Sequence, residues 1–435
     1  MQIVLLSGGS GKRLWPLSND IRSKQFLKIM KNDKGEIESM VQRVYRQLCE
    51  AGLGEDVSIA TNASQVGSIE NHLGSKVSVI VEPERRNTFP AIALSAAYLH
   101  FEKKCDDEVV IVLPVDPYVS KSYFDNLYRL ADAVSNNVAD IVLMGVTPTE
   151  PSEKFGYIIP EKQEIMPMIY KVSRFKEKPE SSVASMLIKE GGLWNCGVFA
   201  FRLSYLMNIV NSTVKCSCFN DVVAQYSLFE KTSFDYAVVE KAKSVGVFSY
   251  CGSWKDLGTW NTFTEVMDDF TIGDVHMEES CSNCHIINEM DIPLLAVGAK
   301  NMVVVACPDG ILVADKDKST KIKELVECCN TQPMFEECSY GSYTVLQNVT
   351  NADGITTITK TTHILAGKSI TTETHDEYDL VWTVIGGQAC INIDGVRFEA
   401  SVGDTFKISA GTAHGIDAKT DTDIIEIQIE SGGIR

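Results

Sequence analysis

Four apolar residues, Ile3-Val4-Leu5-Leu6, run straight into Ser7-Gly8-Gly9-Ser10-Gly11-Lys12-Arg13. The apolar run reads as a buried strand. The three glycines at positions 8, 9 and 11 let the backbone turn sharply and bring bare N–H groups against a ligand. Arg13 and, beyond the turn, Lys24 add fixed positive charge. Backbone donors and two cations describe a seat for a multiply charged anion, most simply a nucleoside triphosphate. Spacing excludes two well-known phosphate loops. A Walker A loop would need Gly where Leu6 stands and Ser or Thr where Arg13 stands, and a dinucleotide loop would need Gly at Leu14. The alternative is an ordinary glycine turn between a strand and a helix.

Residues 1–265 alternate short apolar runs with amphipathic stretches. Strands are expected at 3–6, 57–60, 77–81, 109–113 and 141–145, and helices at 40–51, 88–103 and 121–136. Such alternation implies an α/β, Rossmann-like fold with a mostly parallel sheet covered on both faces. Ligands then sit at the carboxyl ends of the strands. Residues 8–13, 82–87 and 114–116 all fall directly after an expected strand, so three unrelated motifs converge on one edge. Residues 269–332 read as a small β-rich linker module, with 318–326 helical. Residues 333–435 read as an all-β domain, its strands separated by turns such as Ile393-Asp394-Gly395.

Charge and composition narrow the function classes. Lys and Arg number 40 against 58 Asp and Glu, a net charge of −18, which argues against a nucleic-acid or anionic-membrane surface. The anion seat must therefore be a local positive pocket. No basic n-region precedes the first apolar run, and no stretch nears the roughly 18 apolar residues of a membrane span. The cytoplasm is the expected location. The 13 cysteines read as reduced core residues. Cys281-Ser282-Asn283-Cys284-His285 matches a haem-attachment pattern but no export signal accompanies it, and as half a zinc site it lacks an evident second ligand pair, so it reads as incidental.

Further blocks follow the glycine turn in order. They are Lys24-Gln25-Phe26-Leu27, Glu82-Pro83 with Arg86-Asn87-Thr88, Leu113-Pro114-Val115-Asp116, Phe155-Gly156-Tyr157, Phe175-Lys176-Glu177-Lys178-Pro179, Trp194-Asn195-Cys196-Gly197, Asp235-Tyr236-Ala237 and Trp254-Lys255-Asp256-Leu257-Gly258-Thr259-Trp260. This series resembles the sugar-1-phosphate nucleotidyltransferases over about residues 1–330. It looks most like the mannose-1-phosphate guanylyltransferase branch with a C-terminal phosphomannose-isomerase-like cupin. The domains expected on this basis are 1–268, 269–332 and 333–435.

The resemblance implies transfer of GMP from GTP to mannose 1-phosphate, giving GDP-mannose and pyrophosphate. The attacking phosphate is already an anion, so the chemistry needs cations and rigid placement more than a base. Arg13 and Lys24 would hold the phosphates. Leu6, Ser7, Gly8, Gly9, Ser10, Gly11, Asn87 and Thr88 would bind the nucleotide, with a helix N-cap as the other reading of Asn87. Gly156, Glu177, Lys178, Asn195 and Gly197 would take the sugar phosphate. Asp116 and Asp256 would hold Mg²⁺, with a cap or turn as their alternative. Two departures from the family pattern are visible: Lys12 stands where Thr or Ser is usual, and Pro117 where His is usual.

The tail resembles a cupin that needs a divalent metal such as Zn²⁺. Glu373, His375 and His414 match three ligand positions, while Leu380 stands where a Glu is expected. A degenerate cupin is expected. A bifunctional isomerase, a nucleotidyltransferase with another sugar or base, and a non-catalytic sugar-nucleotide sensor are the competing readings. Oligomeric state is left open, a homo-oligomer included.

Overall fold

A computed structural model describes residues 1–9, 12–19, 21–74, 77–328 and 333–430. The described chain falls into two compact units. One comprises residues 1–9, 28–66 and 73–257, and the other residues 10–27, 67–72 and 258–435.

The first unit is built on a nine-stranded sheet. Its strands in chain order are β1 (Gln2–Ser7), β2 (Val57–Asn62), β3 (Ser78–Glu82), β4 (Val109–Pro114), β5 (Ile141–Val146), β6 (Tyr157–Met166), β7 (Ile169–Lys176), β8 (Leu193–Arg202) and β9 (Val245–Tyr250). Their spatial order is β3-β2-β1-β4-β8-β5-β9-β7-β6. β1 pairs in parallel with β2 and β4, β2 with β3, and β5 with β9. β8 runs antiparallel between β4 and β5, and β7 antiparallel between β9 and β6. The five expected strands are all present, with β3 shifted by one residue. β1, β4 and β5 are near-continuous apolar runs because both sheet faces are covered.

Helices cover the sheet. Thr88–Phe101 carries apolar residues all round, and Phe89, Ile92, Leu94, Ala96 and Leu99 are all buried. Met40–Glu50 starts on a capping box in which Ser39 and Gln42 satisfy each other's backbone N–H. The single helix expected at 121–136 is two, Lys121–Asp125 and Leu127–Ser135. At the break, the Asn126 side chain donates to the Ser122 carbonyl at 2.7 Å, competing with the backbone ladder. The helix expected at 318–326 is a 3₁₀ turn, Lys316–Lys321, followed by a short α-helix, Ile322–Val326.

The second unit contains two β modules. In the smaller, Thr271–Ile272, His285–Asn288 and Met302–Cys307 stack in parallel, and Gly310–Asp315 returns antiparallel. The larger has a six-stranded and a four-stranded antiparallel sheet. Leu380, Trp382, Ile391, Ile416 and Ile424 belong to its core. Among the described residues, no helix is long and apolar enough to cross a membrane.

Candidate active site

Three parallel strands of the first unit end together, and their next residues line one cavity of about 370 Å³. Leu6, Ser7, Gly8 and Gly9 follow or end β1. Glu82, Arg85, Arg86, Asn87 and Thr88 continue β3 into the helix Thr88–Phe101. Pro114 and Asp116 close β4, and Gly197, Phe199 and Asp235 complete the wall with Ala60 and Ala91. Six expected nucleotide residues, Asp116 and Gly197 are thus brought together. Ser10 and Gly11 lie outside the described residues, as does the Lys12 side chain.

Asn87 takes φ 75° and its side chain accepts from the Thr88 N–H at 2.8 Å, so the cap reading describes it. The Thr88 hydroxyl accepts from the Phe234 N–H at 2.9 Å, which ties Asp235 to the start of the same helix.

The sequence alone gives Glu82 no role beyond its place in the Glu82-Pro83 block. Its carboxylate is buried at the cavity and accepts from the Tyr226 hydroxyl at 2.8 Å. Burial pushes its pKa up, and the Tyr226 hydrogen bond and the Arg85 charge oppose that. A Cβ on Gly8 would lie 3.6 Å from Glu82 Oε1, so the glycine turn and this carboxylate are neighbours.

A second group of polar residues adjoins Asp235. Asn195 donates to Asp235 at 2.7 Å and accepts from the Gly197 N–H at 3.2 Å. Gly197 holds φ +76°, a conformation that favours glycine. Glu177 is buried and pairs with Lys178 Nζ at 2.8 Å. A Cβ on Gly156 would meet Glu177 Oε2 at 2.4 Å, so only glycine admits the carboxylate there. Burial and the nearby Glu177 charge push the Asp235 pKa up to about 6. Burial lowers the Lys178 pKa, but Glu177 and Asp235 outweigh it and hold the ammonium above its ordinary value. The sequence alone gives Asp235, like Glu82, no role, because its burial is not written there.

Asp256 reaches this region through a two-stranded ribbon. Trp254–Asp256 pairs antiparallel with Pro117–Val119, setting Asp256 opposite Pro117, the residue after Asp116. Phe155, Trp194 and Trp254 pack beside it, with centroids 4.8 to 6.3 Å apart.

Arg13 and Lys24 belong to the second unit and are not among the residues lining the cavity. Arg13 is exposed in the 3₁₀ turn Lys12–Leu14, and Lys24 opens the turn Lys24–Phe26.

In the larger β module, ligand atoms of Glu373, His375 and His414 lie within 4.8 Å of one another. His414 Nδ1 donates to the Thr412 carbonyl at 2.8 Å, leaving Nε2 buried with no partner among the described residues. Leu380 is packed in the core and carries no donor atom, so the position expected for a Glu supplies no fourth ligand. In the Cys281-Cys284-His285 motif both thiols bond backbone carbonyls, and His285 Nδ1 accepts from Lys316 at 2.8 Å.

A nucleotidyl transferase family model matches residues 2–272, and a mannose-P isomerase/GMP-like β-helix domain model matches residues 282–328. A Vibrio cholerae protein whose name assigns it to the mannose-1-phosphate guanylyltransferases is 30% identical over 98% of this chain and 96% of its own length. The mannose-1-phosphate guanylyltransferase RfbM of Salmonella typhimurium is 26% identical over 99% of this chain and 94% of its own. A Thermus thermophilus crystal structure named a mannose-1-phosphate geranyltransferase superposes with a TM-score of 0.63. It is 25% identical and covers 76% of this chain and 99% of that one. The chain belongs to the nucleotidyl transferase family, among the mannose-1-phosphate guanylyltransferases that continue into a β-helix domain.

Proposed function

We propose that this protein transfers GMP from GTP to α-D-mannose 1-phosphate, releasing pyrophosphate and GDP-mannose. The observation that carries the reading is the single cavity where the glycine turn, Glu82 and Asp116 meet. The backbone of residues 6–9 lies along the nucleotide. The Glu82 carboxylate suits guanine, because it accepts from the adjacent N1–H and N2–H₂ edge, where adenine presents an acceptor at N1. The Tyr226 hydroxyl fixes that carboxylate's direction.

Glu177, Asn195 and Asp235 offer acceptors and a donor to sugar hydroxyls, with Lys178 beside the sugar phosphate. Gly156 and Gly197 keep the backbone close. Arg13 and Lys24 hold the phosphates in this reading, drawing charge away as the bond to the α-phosphorus forms and pyrophosphate leaves. No general base is needed, since the nucleophile is already ionised.

Enzymes of this kind generally use a divalent metal. Asp116 and Asp256, with oxygen donors only and brought toward each other by the Pro117–Val119 ribbon, fit Mg²⁺. When bound, Mg²⁺ would neutralise charge on phosphate oxygens. The domain borders at 268 and 332, a cytoplasmic location and compatibility with a homo-oligomer belong to the same reading.

For the larger β module, the orphaned His414 Nε2 favours a retained metal seat with Glu373 and His375, of the kind zinc takes. Leu380 in the core weighs against isomerase chemistry there.

Three measurements follow from these assignments. Pyrophosphate release from a panel of nucleotides and sugar 1-phosphates should be greatest with GTP and mannose 1-phosphate, and Asp116→Asn should cut kcat about 100-fold or more. Equal turnover with ATP, or an active Asp116→Asn, would contradict the assignment. For Asp235 the sign is set by its folded pKa. That pKa is raised from the ordinary 3.8 to about 6, so the native state holds this proton more tightly than the unfolded chain. The stability it contributes is full below 3.8 and lost as pH rises through 6. Asp235→Asn should therefore raise Tm at pH 7 to 8, with the gain vanishing below pH 4; equal Tm values across that range would refute the shift. Protein dialysed against micromolar zinc should hold about one ion per chain by mass spectrometry, lost in His414→Ala. An unchanged zinc content in that variant would move the site elsewhere.

A further inference from the structure

The second unit gathers residues 12–27 with both β modules, and side chains from each module hold that segment. Arg22 makes a two-pronged ion pair with Glu289, Nη1 to Oε2 at 2.7 Å and Nη2 to Oε1 at 2.9 Å. Glu289 directly follows the strand His285–Asn288 of the smaller module, and its own N–H is bonded to the Ala306 carbonyl at 2.8 Å. The Arg22 guanidinium also lies 4.9 Å from the centroid of the Phe335 ring, where the strand Phe335–Cys338 of the larger module begins. The Arg22 side chain is only 12% exposed. A guanidinium taken out of water is tolerated when a carboxylate fork and an aromatic face replace its hydration, and this pairing fixes position as well as charge.

Neighbouring contacts extend the seat. Asn19 Oδ1 accepts from the N–H groups of Ile21 and Arg22 at 2.8 and 2.7 Å. Its Nδ2 donates to Asp309 at 3.0 Å, and the other Asp309 oxygen accepts from the Met334 N–H at 2.5 Å. The Trp15 carbonyl accepts from Trp260 Nε1 at 3.1 Å, and the Trp15 ring covers Gly310, where a Cβ would lie 2.6 Å away. The held residues are Trp15, Asn19 and Arg22. Arg13 precedes Trp15 by two residues and Lys24 follows Arg22 by two.

We propose that Arg22, seated between Glu289 and Phe335, is a positioning residue that sets the path of the segment carrying Arg13 and Lys24. On this account the two β modules act as a scaffold for the phosphate-handling segment. The inference rests on the guanylyltransferase reading for its consequence in catalysis, since misplacing a charge-bearing group by about 1 Å costs on the order of 100-fold in rate.

The test uses the full chain with Arg22→Met and Glu289→Gln. Each variant is read in pyrophosphate formation and in GMP binding by calorimetry. GMP needs the base seat but neither the β- nor the γ-phosphate. Both variants should lose about 10- to 100-fold in kcat while GMP affinity stays within about two-fold. Unchanged kcat in both, or a parallel loss of kcat and GMP affinity, would overturn the positioning role. Amide exchange supplies a readout independent of turnover. Residues 12–27 should exchange at least about 10-fold faster in both variants, with residues 88–101 unchanged. A wild-type protein without turnover would fail the guanylyltransferase reading alone, and unaltered exchange over 12–27 would fail the seat of Arg22.

Discussion

Everything at the cavity depends on three parallel strands, β1, β3 and β4, ending at one edge of the sheet. Where β1 stops at Ser7 and β3 at Glu82, the chain leaves the ladder and its next residues turn toward the same space. Register makes the coincidence obligatory, because Leu6 is paired with Ala60 on one side and Pro114 on the other. A slip of one residue would send every side chain of a strand to the opposite face, into packing that does not fit it. The glycine turn, the helix start at Thr88 and Asp116 are therefore placed by the core, before any ligand is considered.

Electrostatics then gives the two ends of the site different characters. Glu82 is buried and held by a tyrosine hydroxyl beside the glycine turn. Glu177 and Asp235 share a second corner, where mutual repulsion and burial are relieved by Asn195 and Lys178. Buried carboxylates are costly unless something donates to them. Ligand groups rich in N–H or O–H, a guanine edge at one end and sugar hydroxyls at the other, would complete what the protein begins. That a chain of net charge −18 binds anions at all asks for local cations, and Arg85, Arg86 and Lys178 stand close to these corners.

How much of this was legible in the sequence follows from the range of each interaction. β1, β4 and β5 were plain, because strands covered on both faces must be apolar throughout. The strands Tyr157–Met166 and Ile169–Lys176 were not, because exposed charges such as Glu161, Lys162, Lys171 and Arg174 interrupt their apolar residues. The site blocks were legible as motifs, yet the roles of Glu82 and Asp235 were not. What distinguishes those carboxylates is burial beside Tyr226 and Asn195, more than 30 residues away in either case. The same limit hid Arg22, whose partner Glu289 lies 267 residues on.

The central claim is that one cavity at this strand edge receives the sugar nucleotide, and its most direct test is amide exchange of the full chain with and without GDP-mannose. The account predicts protection concentrated at residues 6–9, 82–91, 114–116 and 195–197, with little change at the Glu373, His375 and His414 cluster. Protection confined to the cluster, or none at the strand ends under saturating ligand, would contradict it.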